Sequence, residues 1–228
     1  MPTDFDWLAL EVKYLDQAAA FYEELLDLSV VDRRSNVLRF ATGPSALVLR
    51  RPTGIPRGGI HTHFACSIPA SEYDEWWDRL AASLDVAEER FGDAKSLYCY
   101  DPDGNCVELG QRDVSGPGID GIFEVALEVS SLARSESLYA DLGFETVDRG
   151  TGRRRVRMDG PVALELWEPH LGIADARGGV HVALGFTADE PAALAEAVAA
   201  RSCSTAETDD GCVIVDPDGH HLTLRRSA

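Results

Sequence analysis

Several titratable side chains stand in stretches of this sequence that otherwise read as buried strands. Glu124 opens the run Val125-Ala126-Leu127, Glu165 lies between Leu164 and Leu166, Glu108 precedes Leu109, and His61 and His63 flank Thr62 ahead of Phe64-Ala65-Cys66. A carboxylate on the buried face of an apolar strand is costly unless it is paired or coordinates a cation. Side chains two apart on a strand share a face, which groups Glu124 with Ala126 and Glu128 and points His63 the same way as His61. Such groups suit one of two uses. They hold a cation and move protons beside it, or they line a metal-free pocket as hydrogen-bonded edge and loop residues. For His63 the alternatives are a proton shuttle or extra ligand on one side, and a cavity-lining imidazole on the other.

Positioning these groups falls to a repeat that runs through nearly all 228 residues. Leu8-Ala9-Leu10-Glu11-Val12 matches Val125-Ala126-Leu127-Glu128-Val129, and at the same offset Phe21-Tyr22 matches Leu138-Tyr139. After a one-residue slip Asp32-Arg33 pairs with Asp148-Arg149. Gly58-Gly59-Ile60-His61 then pairs with Gly178-Gly179-Val180-His181, and Asp101-Pro102-Asp103-Gly104 with Asp216-Pro217-Asp218-Gly219. The predicted boundaries are residues 1–114 and 122–228, with 115–121 as a linker rich in turn residues. Ala18, Phe21, Tyr22 and Leu25 recur at helical spacing, as do Ser135, Leu138, Tyr139 and Leu142, and both sets read as core. A later helix is expected to start at Ser71, as N-cap, and to pack one of Trp76 and Trp77 on a sheet. Its counterpart starts near Pro191, where a missing N–H does no harm. Each Asp-Pro-Asp-Gly reads as a tight turn between two strands. His170, His220 and His221 read as surface residues.

An apolar strand, a Phe-Tyr helix, a Gly-Gly-x-His strand and a closing Asp-Pro-Asp-Gly-Asn-x-x-Glu-Leu together resemble the vicinal-oxygen-chelate superfamily, the clan of glyoxalases, bleomycin-resistance proteins and extradiol dioxygenases. The resemblance implies an α+β fold of two tandem modules, each of paired βαβββ units whose curved mixed sheets enclose a cavity. It places metal ligands on the first, fourth, fifth and eighth strands of each module. Carried over by position, these are Trp7, Val48, His61 and Glu108 in the first copy, and Glu124, Glu165, His181 and Thr223 in the second. Neither copy is complete, and the losses are complementary. Glyoxalase-like members join half of one module to half of the other, which implies one centre made of His61, Glu108, Glu124 and Glu165. The reciprocal set of Trp7, Val48, His181 and Thr223 would be vestigial or plugged by the tryptophan.

Three carboxylates and an imidazole make a hard, oxygen-rich donor set suited to Mn, Fe(II), Ni, Co or Mg, with Zn also compatible. The resemblance then implies a metal-dependent isomerase or lyase of glyoxalase or epimerase type, acting on a small α-oxygenated carbonyl substrate. Glu124 or Glu108 would act as base, with His63 as a further catalytic candidate. An extradiol dioxygenase using His61, His63 and Glu108 is one alternative. A metal-free drug- or metabolite-binding protein is the other, with Trp7 and Trp167 among its stacking surfaces. Arg50, Arg51, Arg57 and the run Arg153-Arg154-Arg155 either clamp an anionic substrate or pair with surface acids.

A formal net charge of -18 disfavours nucleic acid and anionic membranes. No apolar run reaches the roughly 20 residues that span a bilayer. With no visible export signal, and with Cys66, Cys99, Cys106, Cys203 and Cys212 reading as small buried hydrophobes, the expected compartment is the cytoplasm and the expected assembly a monomer or homodimer.

Overall fold

The computed structural model describes residues 1–53, 59, 61–152, 154–169 and 182–227. His170, His181, Arg57 and Arg153 lie outside them. Four βαβββ units follow one another along the chain. The first comprises β1 (Pro2–Glu11), α1 (Leu15–Ala20) with a π-turn over Phe21–Leu25, β2 (Val30–Arg33), β3 (Val37–Thr42) and β4 (Ser45–Arg50). The second comprises β5 (His61–Pro69), α2 (Tyr73–Ala81), β6 (Ala87–Phe91), β7 (Ala94–Tyr100) and β8 (Cys106–Arg112). The third comprises β9 (Gly121–Glu128), α3 (Leu132–Asp141), β10 (Glu145–Arg149), β11 (Arg155–Asp159) and β12 (Ala163–Trp167). The fourth comprises β13 (Val182–Ala188), α4 (Pro191–Val198), β14 (Ser204–Thr208), β15 (Gly211–Val215) and β16 (His221–Arg226).

These units form two eight-stranded mixed sheets, and neither sheet corresponds to one half of the sequence. The first sheet runs β14-β15-β16-β13-β1-β4-β3-β2 and joins the fourth unit to the first. The second runs β10-β11-β12-β9-β5-β8-β7-β6 and joins the third to the second. Within a unit the helix carries the chain across to a parallel partner, as β5 to β8 and β9 to β12. Between units the seam is antiparallel, β1 with β13 and β5 with β9.

Strand alternation gives each sheet a helix-bearing face and an open face. On the first, Leu8, Leu10, Leu47, Leu49, Leu184 and Leu222 are buried, and on the second Val107, Leu109, Val125, Leu127, Leu164 and Leu166. All of them belong to one continuous core with Tyr22, Trp76, Leu80, Leu138, Tyr139 and Val198 from the helices. Phe144, just before β10, and Phe186 on β13 meet edge to face with ring centroids 5.9 Å apart. Of the tryptophan pair on α2, Trp76 is buried and Trp77 exposed. That helix begins at Tyr73 after a short 3-10 turn, and Ser71 does not cap it.

Both Asp-Pro-Asp-Gly segments form the expected turns, with Gly104 at φ 82° and Gly219 at φ 95°. Their first aspartates are buried and tie the units of each sequence half together across the two sheets. Tyr22 donates to Asp101 at 2.9 Å, and Tyr139 donates to Asp216 at 3.0 Å. Asn105 completes the first arrangement and His220 the second, each bonding its aspartate at 2.8 Å. His220 is thus fully buried and not a surface residue, because it fills the place of Asn105 in the repeat. His221 opens β16 and is half-buried.

All five cysteines are free; Cys203 is exposed, and the other four are buried as expected. Among the described residues no helix is long and apolar enough to cross a membrane.

Candidate metal centre

The antiparallel seam of the second sheet sets the site. In register, Tyr98 lies opposite Glu108, Glu108 beside Ala65, and Ala65 opposite Glu124. Ala65 is the spacer, and its methyl leaves room between two carboxylates on the flanking strands. His63, two residues earlier on β5, reaches into that gap. Its Nε2 lies 3.3 Å from Glu108 Oε2 and 3.3 Å from Glu124 Oε1. One donor atom from each of the three residues falls within 4.8 Å of the others, and all three residues are buried. Two carboxylates and an imidazole at such spacing form a donor set for a divalent cation with positions left open.

The surroundings orient these ligands. Ser96 donates to Glu108 Oε1 at 2.6 Å and Tyr98 to Glu108 Oε2 at 2.8 Å, so both carboxylate oxygens are held. Burial, and then the neighbouring Glu108, push the Tyr98 hydroxyl well above its ordinary range, which keeps it a donor. The Thr62 hydroxyl lies 3.3 Å from Nδ1 of His63. On the far side Arg157 forms an ion pair with Glu124 Oε2.

His61 does not join this cluster, which corrects the ligand set expected from the sequence. The pairing of β5 with β9 slips between His61 and His63, and a one-residue slip sends a side chain to the opposite face. His61 is fully buried toward Phe64, with ring centroids 6.4 Å apart, and neither ring nitrogen meets a hydrogen-bond partner among the described residues. Burial, with His63 and His220 nearby, holds its pKa down to about 3, so the ring is neutral. The triad of His61, His63 and Glu108 required for ring cleavage is not assembled, for the same reason.

Glu165 also stands apart from the cluster, on β12 beyond β9. Its Oε1 accepts from Arg155 at 2.7 Å and Arg157 at 3.3 Å, and its Oε2 from the indole of Trp167 at 2.9 Å. Guanidinium groups and an indole N–H satisfy this buried carboxylate. Trp167 is buried with its N–H committed to Glu165, so its stacking surface is closed to a ligand.

Trp7 lies on the other sheet. Its indole covers Gly185, where an added Cβ would come within 2.1 Å of it. Val48 on β4 and Thr223 on β16 bring no carboxylate or imidazole to that face, and the indole fills the position a ligand would need. Trp7 thus lies apart from the His63 cluster, where its indole packs on Gly185 as the reading of a plugged reciprocal set expects.

Residues 4–109 match the family model for the Glyoxalase/Bleomycin resistance protein/Dioxygenase superfamily. Metallothiol transferase FosB from Staphylococcus saprophyticus is 31% identical over 105 residues, 43% of this chain and 70% of that protein. The chain belongs to this superfamily. FosB from Lysinibacillus sphaericus is likewise 31% identical, over 45% of this chain and 77% of its own. Glyoxalase I from Zea mays shares the fold over 98% of this chain and 92% of its own, with TM-score 0.71 and 21% identity. A solved structure from Bacillus subtilis covers 99% of this chain and 85% of its own, with TM-score 0.78 and 15% identity. At these identities the structural likeness establishes architecture alone.

Ser96, Tyr98, Arg112 and Arg157 were not singled out from the sequence. Alternation held the signal: Ser96 and Tyr98 are two apart on a strand that ends at the turn, and Glu108, Gly110 and Arg112 share one face of the next.

Proposed function

We propose that this chain is a metal-dependent lyase or isomerase acting on a small α-oxygenated carbonyl compound at the His63, Glu108 and Glu124 centre. The observation that carries the reading is the convergence of these three buried side chains from three adjacent strands, with donor atoms within 4.8 Å of one another. Kinship with proteins named metallothiol transferases supports a centre that works through a metal. A bound divalent ion would supply Lewis acidity, stabilising negative charge on a substrate oxygen.

The chain's own groups divide the remaining work. Glu108, held by two hydroxyl donors, serves as the fixed ligand. Glu124 has His63 beside one oxygen and Arg157 on the other but no hydroxyl donor among the described residues, and is the group assigned to accept a proton from the substrate carbon. His63 orients both carboxylates. The half-buried Arg155 and Arg157 close the side of the site toward β10.

One observation favours a second reading, a binding protein that uses no metal. Arg157 pairs with both Glu124 and Glu165, so two of the three carboxylates are already compensated.

Both readings meet in one experiment. Protein stripped with chelator and titrated with Mn(II) is expected to bind one ion per chain, and His63→Ala is expected to lose it while keeping its circular-dichroism spectrum. Folded wild type that takes up no Mn(II), Fe(II), Ni(II) or Zn(II) at near-stoichiometric level overturns the enzymatic reading and leaves the binding protein.

A further inference from the structure

Arg112 occupies the open face of the second sheet without a counter-ion. It lies four residues beyond Glu108 on β8, on the same face, and Gly110 stands between them. A Cβ on Gly110 would come 2.8 Å from the Phe123 ring, so the absent side chain is what lets that ring lie across β8. The Arg112 guanidinium rests on the ring, 3.9 Å from its centroid, and donates to the Gln111 carbonyl at 3.1 Å. Among the described residues no carboxylate lies within ion-pair distance of it. It is half-buried, and burial together with Arg157 draws its proton affinity down while Glu108 opposes them. Partial burial of an always-charged group beside a second guanidinium, with no carboxylate paired to it among the described residues, is unfavourable unless something anionic arrives.

The charge beside the centre points the same way. Glu108, Glu124, Glu165 and Asp148 are opposed by Arg112, Arg155 and Arg157, so this group carries about one negative charge before any ion enters. Adding a divalent cation leaves it about one positive charge in excess, held in a partly desolvated site where it attracts an anion. Resting on the proposed metal centre, we propose that Arg112 is a specificity-determining residue. It receives a second anionic group of the substrate, a carboxylate or a phosphate-type oxyanion, separate from the oxygens directed at the cation. Phe123 holds the guanidinium flat for that contact, as a planar fork suited to two oxygens.

The test compares probes with the same α-oxo acid head and different tails on Mn(II)-loaded protein, with binding read from water-proton relaxation. The pairs are 2-oxoglutarate against 2-oxovalerate, and phosphonopyruvate against pyruvate; the first reports a carboxylate tail and the second a phosphonate. At least one charged-tail probe is expected to bind wild type about tenfold more tightly than its partner, roughly 1.4 kcal/mol. Arg112→Met is expected to erase that preference with Mn(II) affinity within about twofold of wild type, and Arg112→Lys to keep part of it. Equal binding of both tails by wild type, or a preference unchanged in Arg112→Met, overturns the assignment. If Arg112→Met does not fold, loss of at least half of the preference in Arg112→Lys, whose point charge lacks the fork, supports it and no loss overturns it. Should wild type take up no Mn(II), the metal centre fails separately. The same probes are then compared by thermal shift on metal-free protein, where a charged-tail stabilisation that Arg112→Met abolishes still supports the assignment and its absence overturns it.

Discussion

Replacing His61 with leucine should stabilise the protein while leaving its metal affinity intact. The imidazole is fully buried on the core face of β5, and its one N–H and one acceptor nitrogen both lack partners among the described residues. A buried polar group without a hydrogen bond costs about 1–3 kcal/mol in proteins. An apolar side chain of comparable size removes that cost, offset by up to about 1.5 kcal/mol for imperfect shape. The net expectation for His61→Leu is a gain of roughly 1–2 kcal/mol. For a chain of this length each kcal/mol moves Tm by about 2–4 °C, so the variant should melt about 2–8 °C higher. Thermal unfolding followed by circular dichroism measures the shift, and Mn(II) titration of the same sample should agree with wild type within about threefold. His63→Leu should behave oppositely, losing at least about 100-fold in Mn(II) affinity, because it removes the nitrogen between Glu108 and Glu124. A fall in Tm of more than about 2 °C for His61→Leu, or loss of metal binding in it, would show that His61 ligates or bonds in the folded protein and would refute the strand slip.

Tyr98→Phe removes one of the two hydroxyl donors that hold Glu108 and should weaken Mn(II) binding by about 10–100-fold, measured by calorimetry; an unchanged constant would mean that Glu108 is not a ligand. Burial raises the Asp216 pKa, but the larger combined effect of His220 and the backbone N–H donors sets it below the ordinary carboxylate value. Stability from this group is therefore present above about pH 4, its unfolded value, and is lost as pH falls through the depressed pKa. Asp216→Asn should accordingly be clearly less stable than wild type at pH 7 in urea unfolding, with the gap narrowing below about pH 4; a gap that widens in acid contradicts the assignment. Thiol titration of the native protein with an aromatic disulfide reagent should find one fast group, Cys203. Burial pushes Cys99 and Cys106 up to about 12, and two fast groups would show that the core opens.

Periodicity and repetition were legible because they are local. The matched strands, the Phe-Tyr and Leu-Tyr helices and the two turns follow from side-chain order alone, and among the described residues the structure has them where the repeat places them. The resemblance also brought Glu108 and Glu124 to opposite sides of one centre, and they meet at the seam between β5 and β9. Local pattern failed at His61, where alternation from His63 predicts a shared face and the slipped pairing denies it. It failed as well for Glu165, whose cost of burial was correctly recognised but whose relief comes from Arg155, Arg157 and Trp167.

The order of side chains along this chain determined four βαβββ units, their apolar faces and the acidic and imidazole groups available to a site, since each depends only on near neighbours. Tertiary structure alone decided which histidine faces the carboxylates, which acid is claimed by arginine, and that Trp7 covers Gly185 on the other sheet. Those outcomes depend on register between strands from different halves of the chain, where a shift of one residue exchanges the open face for the core.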